Sequence, residues 1–191
     1  LWNNGAVVDA GAATLVDGDT GLVGVVSPAN SLVGSSANDR VGSGLTALAD
    51  GDYVVQSPQW DGAVVDAGAA TFATGTAGIV GPVSAANSLV GSKAGDGLNA
   101  RAVALANGGY LVDLRFWDGV AADTGAVTLG DGRRGTVGVI SPANSLVGAA
   151  AGDQLEADDL PGAGSFLGFG AGPRWRLLIG LATGPGQLTF R

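Results

Sequence analysis

Short apolar runs separated by turn-forming residues recur along most of this chain. The stretches "LTALADGDYVVQS" (residues 45–57) and "ALANGGYLVDL" (104–114) each hold two β-rich runs around Asp50-Gly51 or Asn107-Gly108. Such pairs are typical of type I′ hairpin turns. A third strand is predicted at "GAATFA" (68–73) and "GAVTL" (125–129). A fourth is predicted around "NSLVG", where the Asn opens the entry turn and the Leu-Val pair packs inward. The pattern predicts an all-β chain of short strands joined by tight turns.

The same pattern returns every 57 residues. The hexapeptide "ANSLVG" places its Asn at positions 30, 87 and 144, and several other residues keep this step. They are Gly11, Gly68 and Gly125; Gly21, Gly78 and Gly135; Asp39, Asp96 and Asp153; and Trp60 and Trp117. Trp2 sits one place from its expected position. A fixed period of this size is typical of repeat architectures.

The repeat divides the chain into two parts. Residues 1–155 hold about two and a half to three repeats of 57 residues. Residues 156–191 are interpreted as a degenerate fourth repeat that closes or caps the array, because Trp175 can take the place of Trp60 and "GQLTF" (186–190) that of "GAATF". An unrelated terminal extension is the alternative.

Four short strands in one repeat favour a β-propeller blade, although blade repeats are commonly about 40 to 50 residues long. The alternative is a right-handed parallel β-helix, since the period is also three times 19, a plausible coil length. The three thirds of a repeat share no register of Gly or apolar positions, however. Tight hairpins also make antiparallel pairs, which parallel coils do not use. We therefore predict propeller-like blades.

Composition narrows the possible functions. The chain has 35 Gly, no His, Cys or Met, mean hydropathy +0.33 and a net charge of −8. Without His or Cys, Ser-His-Asp and Cys-His catalysis are excluded, and the negative charge argues against nucleic acid as a partner. No apolar run approaches the roughly 18 residues of a membrane-spanning helix. The start, "LWNNGAVVDAG", has no initiating Met and no basic leader, so we interpret residue 1 as a processed end within a longer protein.

Residues 34–72 resemble the FG-GAP repeat of integrin α-subunit propellers. Asn38 to Gly42 correspond to the "GDxFG" element, Ser57-Pro58 to the Pro-containing corner, and residues 68–72 to the "GAVYVF" strand. The resemblance implies β-propeller blades, many of which bind Ca²⁺ through several carboxylates. Ca²⁺ takes six to eight oxygen ligands. The matching loop offers only Asp50 and Asp52 in one repeat and "NGG" (107–109) in the next, so hairpin turns are favoured over calcium sites.

The whole repeat is also similar to tandem repeats of bacterial surface proteins of the filamentous-haemagglutinin type, in which "NGNYVV", "WDNG", "GAVTW" and "SAANSLVGS" recur. This resemblance implies a secreted or cell-surface, adhesin-like bacterial protein. It implies no catalytic, cofactor-binding or metal-binding residue, and we predict none.

Two repeated residue types are candidates for a site. Asp39, Asp96 and Asp153 could supply carboxylates for a glycosidase-type reaction, but an acid in every repeat, within Gly- and Ala-rich turns, favours turn capping. Trp60 and Trp117 precede Asp-Gly and could form one sugar-binding pocket per blade. Packing between repeats, with the indole N–H bonded to a carbonyl, is favoured. The basic turn "GDGRRG" (130–135) resembles no phosphate loop.

The chain holds about 3.4 repeat lengths, whereas propellers usually close with four to eight blades. We therefore expect the partner to be the protein itself, as a homo-oligomer or as neighbouring repeats of a longer chain, and a glycan or host surface as a further partner. The hypothesis is a non-enzymatic adhesin-like scaffold or self-assembling structural module. The alternative is a carbohydrate-binding, lectin-like propeller. An Asp-based hydrolase would need two acids that face each other across a pocket.

Overall fold

The computed structural model describes residues 2–160, 165–169, 178–182 and 188–190, with side chains described for residues 2–157. These residues form strands, turns and no helix. The chain is thus all-β, as the abundance of Gly and of short β-rich runs predicts. Trp175 and residues 186–187, which the sequence assigns to a fourth repeat, lie outside the described residues.

The strands are short because turn residues interrupt every apolar run. In chain order they are β1 (Ala12–Ala13), β2 (Leu32–Val33), β3 (Gly44–Ala47), β4 (Tyr53–Ser57), β5 (Ala69–Ala73), β6 (Gly81–Pro82), β7 (Leu89–Val90), β8 (Arg101–Ala104), β9 (Tyr110–Leu114), β10 (Ala126–Gly130), β11 (Gly138–Val139), β12 (Leu146–Val147), β13 (Glu156–Leu160), β14 (Ser165–Phe169), β15 (Leu178–Ala182) and β16 (Leu188–Phe190).

The strands form four sheets, numbered here along the chain. Sheet 1 has the order β1-β2-β6, sheet 2 the order β11-β7-β5-β4-β3, sheet 3 the order β12-β10-β9-β8, and sheet 4 the order β13-β14-β15-β16. Sheets 2 and 3 both contain the predicted hairpin, the third strand and the "NSLVG" strand, all paired antiparallel. Each complete repeat therefore builds one four-stranded antiparallel unit.

The hairpin turns differ in type from the sequence prediction. A type I′ turn needs positive φ at both central residues, but only the glycines have it, with φ of 91° at Gly51 and 85° at Gly108. Leu48 N–H donates to Asp52 O (2.8 Å), and Gly51 N–H donates to Leu48 O (3.2 Å). The loop thus has three residues and ends in a left-handed glycine, the arrangement of a type I turn followed by a bulge.

Short parallel pairs connect consecutive repeats, a feature that the sequence did not predict. Strand β6 of one repeat pairs in parallel with β2 of the repeat before it, and β11 pairs in the same way with β7. Each of these pairs spans two residues. Successive repeats are therefore joined through their backbones as well as through side-chain packing.

The sheets pack face to face, and the hydrophobic core is divided among the spaces between them. Val54 belongs to the cluster between sheets 2 and 3, whereas its neighbour Val55 belongs to the cluster between sheets 1 and 2. A third cluster brings Leu111 and Val127 of sheet 3 against Ala157 of β13. Successive side chains of a strand point to opposite faces, so the burial of both Val54 and Val55 means that both faces of β4 are buried. This explains why the central strands are continuous apolar runs in the sequence. The architecture is compatible with propeller-like blades.

Candidate functional site

The Asn of "ANSLVG" lies at the centre of a hydrogen-bond network. Asn87 Oδ1 accepts hydrogen bonds from the backbone N–H of Ser84 (2.9 Å) and the hydroxyl of Ser88 (2.9 Å), while its Nδ2 donates to Pro82 O (3.0 Å). The Ser88 hydroxyl lies 2.7 Å from Thr71 Oγ1 of β5. The network therefore joins β7, its entry turn and β5.

The same network forms in the other two copies of the hexapeptide. Asn30 and Asn144 repeat these bonds with Ser27, Val25, Ser31 and Thr14, and with Ser141, Val139, Ser145 and Thr128. The predicted role of "ANSLVG", an Asn that opens a turn before an inward-packing Leu-Val pair, is confirmed. The Leu-Val pair is buried in the first two copies and half-buried in the third.

The repeated aspartates cap turns, as predicted, and also bond to the next repeat. Asp39 is 0% exposed. Its Oδ2 accepts hydrogen bonds from the N–H groups of Ser35 (2.7 Å) and Ser36 (2.8 Å), and its Oδ1 accepts one from Asp61 N–H (2.9 Å), next to Trp60. Asp96 makes the equivalent bonds with Ser92, Lys93 and Asp118. In the third copy Oδ2 of Asp153 caps the turn at residues 149 and 150.

This geometry uses the repeated acids as backbone acceptors rather than as paired catalytic groups. The acids of the hairpin loops are used in the same way: Asp50 Oδ1 accepts from Asp52 N–H (3.3 Å), and Asp52 Oδ1 accepts from Gly75 N–H (2.9 Å). Within the part of the chain that the structure describes, no group of three or more acidic side chains is arranged to hold a metal ion.

The tryptophans pack between sheets. Trp60 is 6% exposed and lies in the cluster between sheets 1 and 2, and Trp117 is 4% exposed and lies between sheets 2 and 3. Their indole N–H groups are buried and find no acceptor among the described residues, which corrects the expectation of a carbonyl partner. Neither indole presents an open face to a sugar ring, so the proposed aromatic pockets do not form at these residues.

The displaced position of Trp2 also has a structural explanation. The carbonyls of Trp60 and Trp117 accept hydrogen bonds from Gly68 and Gly125 N–H, at 3.0 Å in each case, and the Trp2 carbonyl accepts the matching bond from Gly11 N–H (3.0 Å). Trp2 therefore occupies the same place in the fold, and one extra residue lies in the turn between Trp2 and Gly11.

An ion pair within sheet 3, at its contact with β13, was not predicted from the sequence. Arg101 Nη2 and Asp113 Oδ2 lie 3.1 Å apart on adjacent strands. Asp113 Oδ2 also accepts from Ala157 N–H (3.2 Å), and Arg101 Nη2 donates to Ala157 O (2.7 Å). The pair thus attaches sheet 3 to the backbone of β13. Arg115 adds an ion pair with Glu156 (3.8 Å).

Burial changes the acidity of Asp113. Its side chain is 2% exposed, and loss of water raises the pKa of its carboxyl to about 6, although Ala157 N–H and Arg101 act in the opposite direction. Its Oδ1 is buried and has no hydrogen-bond partner among the residues that the structure describes. The equivalent position in the previous repeat is Gln56, so this acid belongs to one repeat only.

An open groove lies beside the first sheet in the described part of the chain. It has a volume of about 400 Å³ and runs between β1 and the β3–β4 hairpin. Its lining is mostly small and apolar, with Ala12, Thr14 and Leu15 on one side and Leu45, Ala47 and Tyr53 on the other. Asp52 is the one acid among these lining residues, so the groove does not supply the facing carboxylates that a glycosidase needs.

Comparison with protein families gives a match that covers most of the chain. The model of a family described as "Repeat of unknown function (DUF5650)" matches residues 1–43, 47–100 and 104–157. The chain belongs to this family. Comparison with curated proteins finds no match.

The DUF5650 match establishes three tandem copies and leaves the FG-GAP and haemagglutinin resemblances as hypotheses. The second and third DUF5650 copies contribute strands to more than one sheet, because β6 and β11 pair with the sheet that precedes their own. Among the described residues of this DUF5650 chain, none forms a helix of the length and hydropathy that crossing a membrane requires.

Proposed function

We propose that this chain is a non-enzymatic repeat module that acts as an adhesin-like scaffold or self-assembling structural element of a secreted or cell-surface bacterial protein. The observation that carries the proposal is the use of the repeated polar residues. Asn87 and Asp96, like their equivalents, direct their oxygens to backbone and hydroxyl donors within the stack. The retained Asn thus holds its own repeat together, and the retained Asp also bonds to the next repeat.

The joints between repeats support the same proposal. Each combines an apolar cluster, a carboxylate bond from one repeat to the Trp-Asp turn of the next, and a short parallel strand pair. Solenoid and blade arrays derive their stability from such nearest-neighbour interfaces. An array built in this way provides length, stiffness and a repeated outer surface, which are the properties of a scaffold.

The proposed location and the bacterial source rest on the resemblance to haemagglutinin-type repeats. The absence of cysteine in the sequence is compatible with an oxidising environment, because no thiol is there to be oxidised. A lectin role has less support, because Trp60 and Trp117 are buried. Binding to a glycan or host surface remains part of the adhesin hypothesis.

The proposal is tested by sedimentation of the whole chain over a wide concentration range, with a glycan array measured in parallel. A scaffold that assembles through its own repeats should show a mass that rises with concentration. The array separates the alternative function: a chain that stays monomeric at every concentration and binds a defined glycan would overturn the proposal and favour a lectin.

A further inference from the structure

The groove beside sheet 1 occupies a place that is filled by a hairpin at the next interface. In sheet 2 the β3–β4 hairpin pairs with β5 and packs against β8, and Thr46 Oγ1 donates to Ala102 O (3.0 Å). In sheet 3 the β8–β9 hairpin holds the same place against β13 through the bond from Arg101 to Ala157. In the described part of the chain, sheet 1 has the equivalent third strand, β1, without such a hairpin.

The side chains in this groove are more exposed than the equivalent side chains at the next interface. Leu45 is 63% exposed in the groove, whereas Ala102, 57 positions on, is half-buried against sheet 2. Tyr53 is half-buried, while its equivalent Tyr110 is 1% exposed and stacks on Phe72 with ring centroids 6.1 Å apart. The groove is therefore an inter-repeat face that lacks the cover found at the next interface.

The backbone of β1 is open on the groove side as well. Strands β5 and β10 each pair over five residues with the neighbouring hairpin strand, from Tyr53 to Ser57 and from Tyr110 to Leu114. The two-residue strand β1 pairs with β2 and has no partner on its other edge among the described residues. Its edge N–H and C=O groups can thus pair with a further strand.

A second segment of the first repeat also lacks, among the described residues, the strand partner that its equivalents have in later repeats. In the later repeats Gly81 N–H donates to Ser31 O (2.9 Å) and Gly138 N–H donates to Ser88 O (3.0 Å), in the parallel pairs that join repeats. Residues 22–26 are the equivalents in the first repeat and make no such pair among the described residues. There Val23 is 96% and Val25 83% exposed.

We propose that the open face, defined as the groove together with residues 22–26, is a docking surface for a further repeat of the same kind linked in the same polypeptide, rather than for a second copy of the chain. The groove takes that repeat's β-hairpin, and residues 22–26 pair in parallel with its Ser-Leu-Val strand. A single stretch equivalent to residues 88–114 contains both parts in the right order, as β7 is followed by β8 and β9. The proposal extends the interface between repeats already present in the chain, and it rests on the proposed function.

The test supplies the missing parts in register and measures amide hydrogen exchange. Because Trp2 is equivalent to Trp60, a copy of residues 44–58 placed directly ahead of residue 1 presents the hairpin to the groove, and a copy of residues 27–58 adds the Ser-Leu-Val strand. The hairpin alone should slow exchange at residues 12–15 by at least about tenfold, and the longer copy should also protect residues 24–26.

Two substitutions in the extended chains serve as matched controls. Leu45→Lys places a charge in the groove at an already exposed position and should abolish the new protection at residues 12–15. Val120→Lys changes a side chain that is 91% exposed and outside the open face, and should leave the protection intact.

Each outcome has a defined meaning. Unprotected residues 12–15 in the extended chain would overturn the docking proposal, and would leave the scaffold function standing if the parent chain still self-associates. Protection in the parent chain that rises with its concentration would show a second whole copy as the occupant and would also overturn it. Hairpin docking in a chain that never self-associates would support this surface and contradict self-assembly.

Discussion

At the residue scale, the repeated polar side chains act as internal hydrogen-bonding groups. An Asn with bonds from both side-chain atoms, or a buried Asp with three backbone donors, is satisfied without a ligand. The period and the turn-forming neighbours of these residues predict their role in turns, which is confirmed. The donors from the neighbouring repeat could not be predicted, because they lie 22 residues away from the acids along the chain.

The first prediction concerns the Asn network. Asn87→Ala should lower the free energy of unfolding by about 1–3 kcal/mol, because Ser84 N–H, the Ser88 hydroxyl and Pro82 O each lose a partner. Asn107→Ala is the control, since Asn107 is exposed and makes its bond to Gly109 within a surface loop. Urea unfolding measures both. Equal, small effects would show that the network contributes nothing to stability.

The second prediction concerns Asp113 and pH. The pKa of the Asp113 carboxyl is about 6 in the folded chain and near 3.8 in the unfolded chain. Between these two pH values the folded state keeps a proton that the unfolded state has already released. This group's contribution to the free energy of unfolding therefore falls as pH rises through that window, by an amount on the order of 3 kcal/mol.

Asp113→Asn removes this titration while keeping the shape of the side chain. The pH slope of the unfolding free energy between about pH 4 and 6 should become less negative in this variant, as measured by urea unfolding. Asn107→Ala, which removes no titratable group from an exposed loop position, should keep the parent slope. An unchanged slope in Asp113→Asn would contradict the assignment.

At the element scale, the type of the hairpin turn decides which side chains meet. A two-residue type I′ loop at Asn107-Gly108 would pair Arg101 with Leu114. The three-residue loop moves the register by one, so that Arg101 pairs with Asp113. A shift of one residue exchanges the two faces of a strand. The sequence located the hairpins, but the ion pair could not be predicted while the loop was assigned the wrong length.

Close backbone approach at a repeated glycine gives the third prediction. Gly68 has φ +72°, and a Cβ there would lie 2.3 Å from Gly97 Cα. Gly68→Ala should therefore cost about 1–2 kcal/mol for its backbone conformation and a further 1–3 kcal/mol for the contact.

Gly108→Ala is the matched control for this substitution. Gly108 also has positive φ, at +85°, but a Cβ there meets nothing within 4 Å. Thermal unfolding of the two variants separates conformational strain from the close approach. Equal losses of stability would mean that the backbones at Gly68 and Gly97 move apart easily.

At the scale of the whole molecule, the sheets behave as a series with one type of joint. The core is distributed over several clusters between sheets, and a side-chain bond to a backbone carbonyl of the next sheet is made from each complete hairpin, by Thr46 to Ala102 and by Arg101 to Ala157. Stability in such a series is expected to depend on the number of joints. The series can therefore be lengthened at a joint only by whole periods.

The fourth prediction tests this modularity. Insertion of a second copy of residues 44–100 after Ala100 adds one period and should fold, with a urea m value raised by roughly 30% because m follows the surface exposed on unfolding. Insertion of residues 44–95 at the same place breaks the register and should lower the stability. Two separated transitions, or no gain in m, would show that the repeats do not form one cooperative stack.

The 57-residue period, the hairpins, the all-β class and the turn-capping role of the repeated Asn and Asp residues follow from the sequence, because each depends on local patterns of Gly, Asn, Asp and apolar residues. Strand neighbours across repeats do not, since they depend on contacts between distant residues. Packing between sheets buried Val54 and Val55, which lie on opposite faces of β4, and removed Trp60 and Trp117 from the surface. It also brought Arg101 into contact with Asp113 and Ala157. It also exposed Leu45 and Val25 at the open face, because nothing in the local sequence distinguishes a covered repeat from an uncovered one.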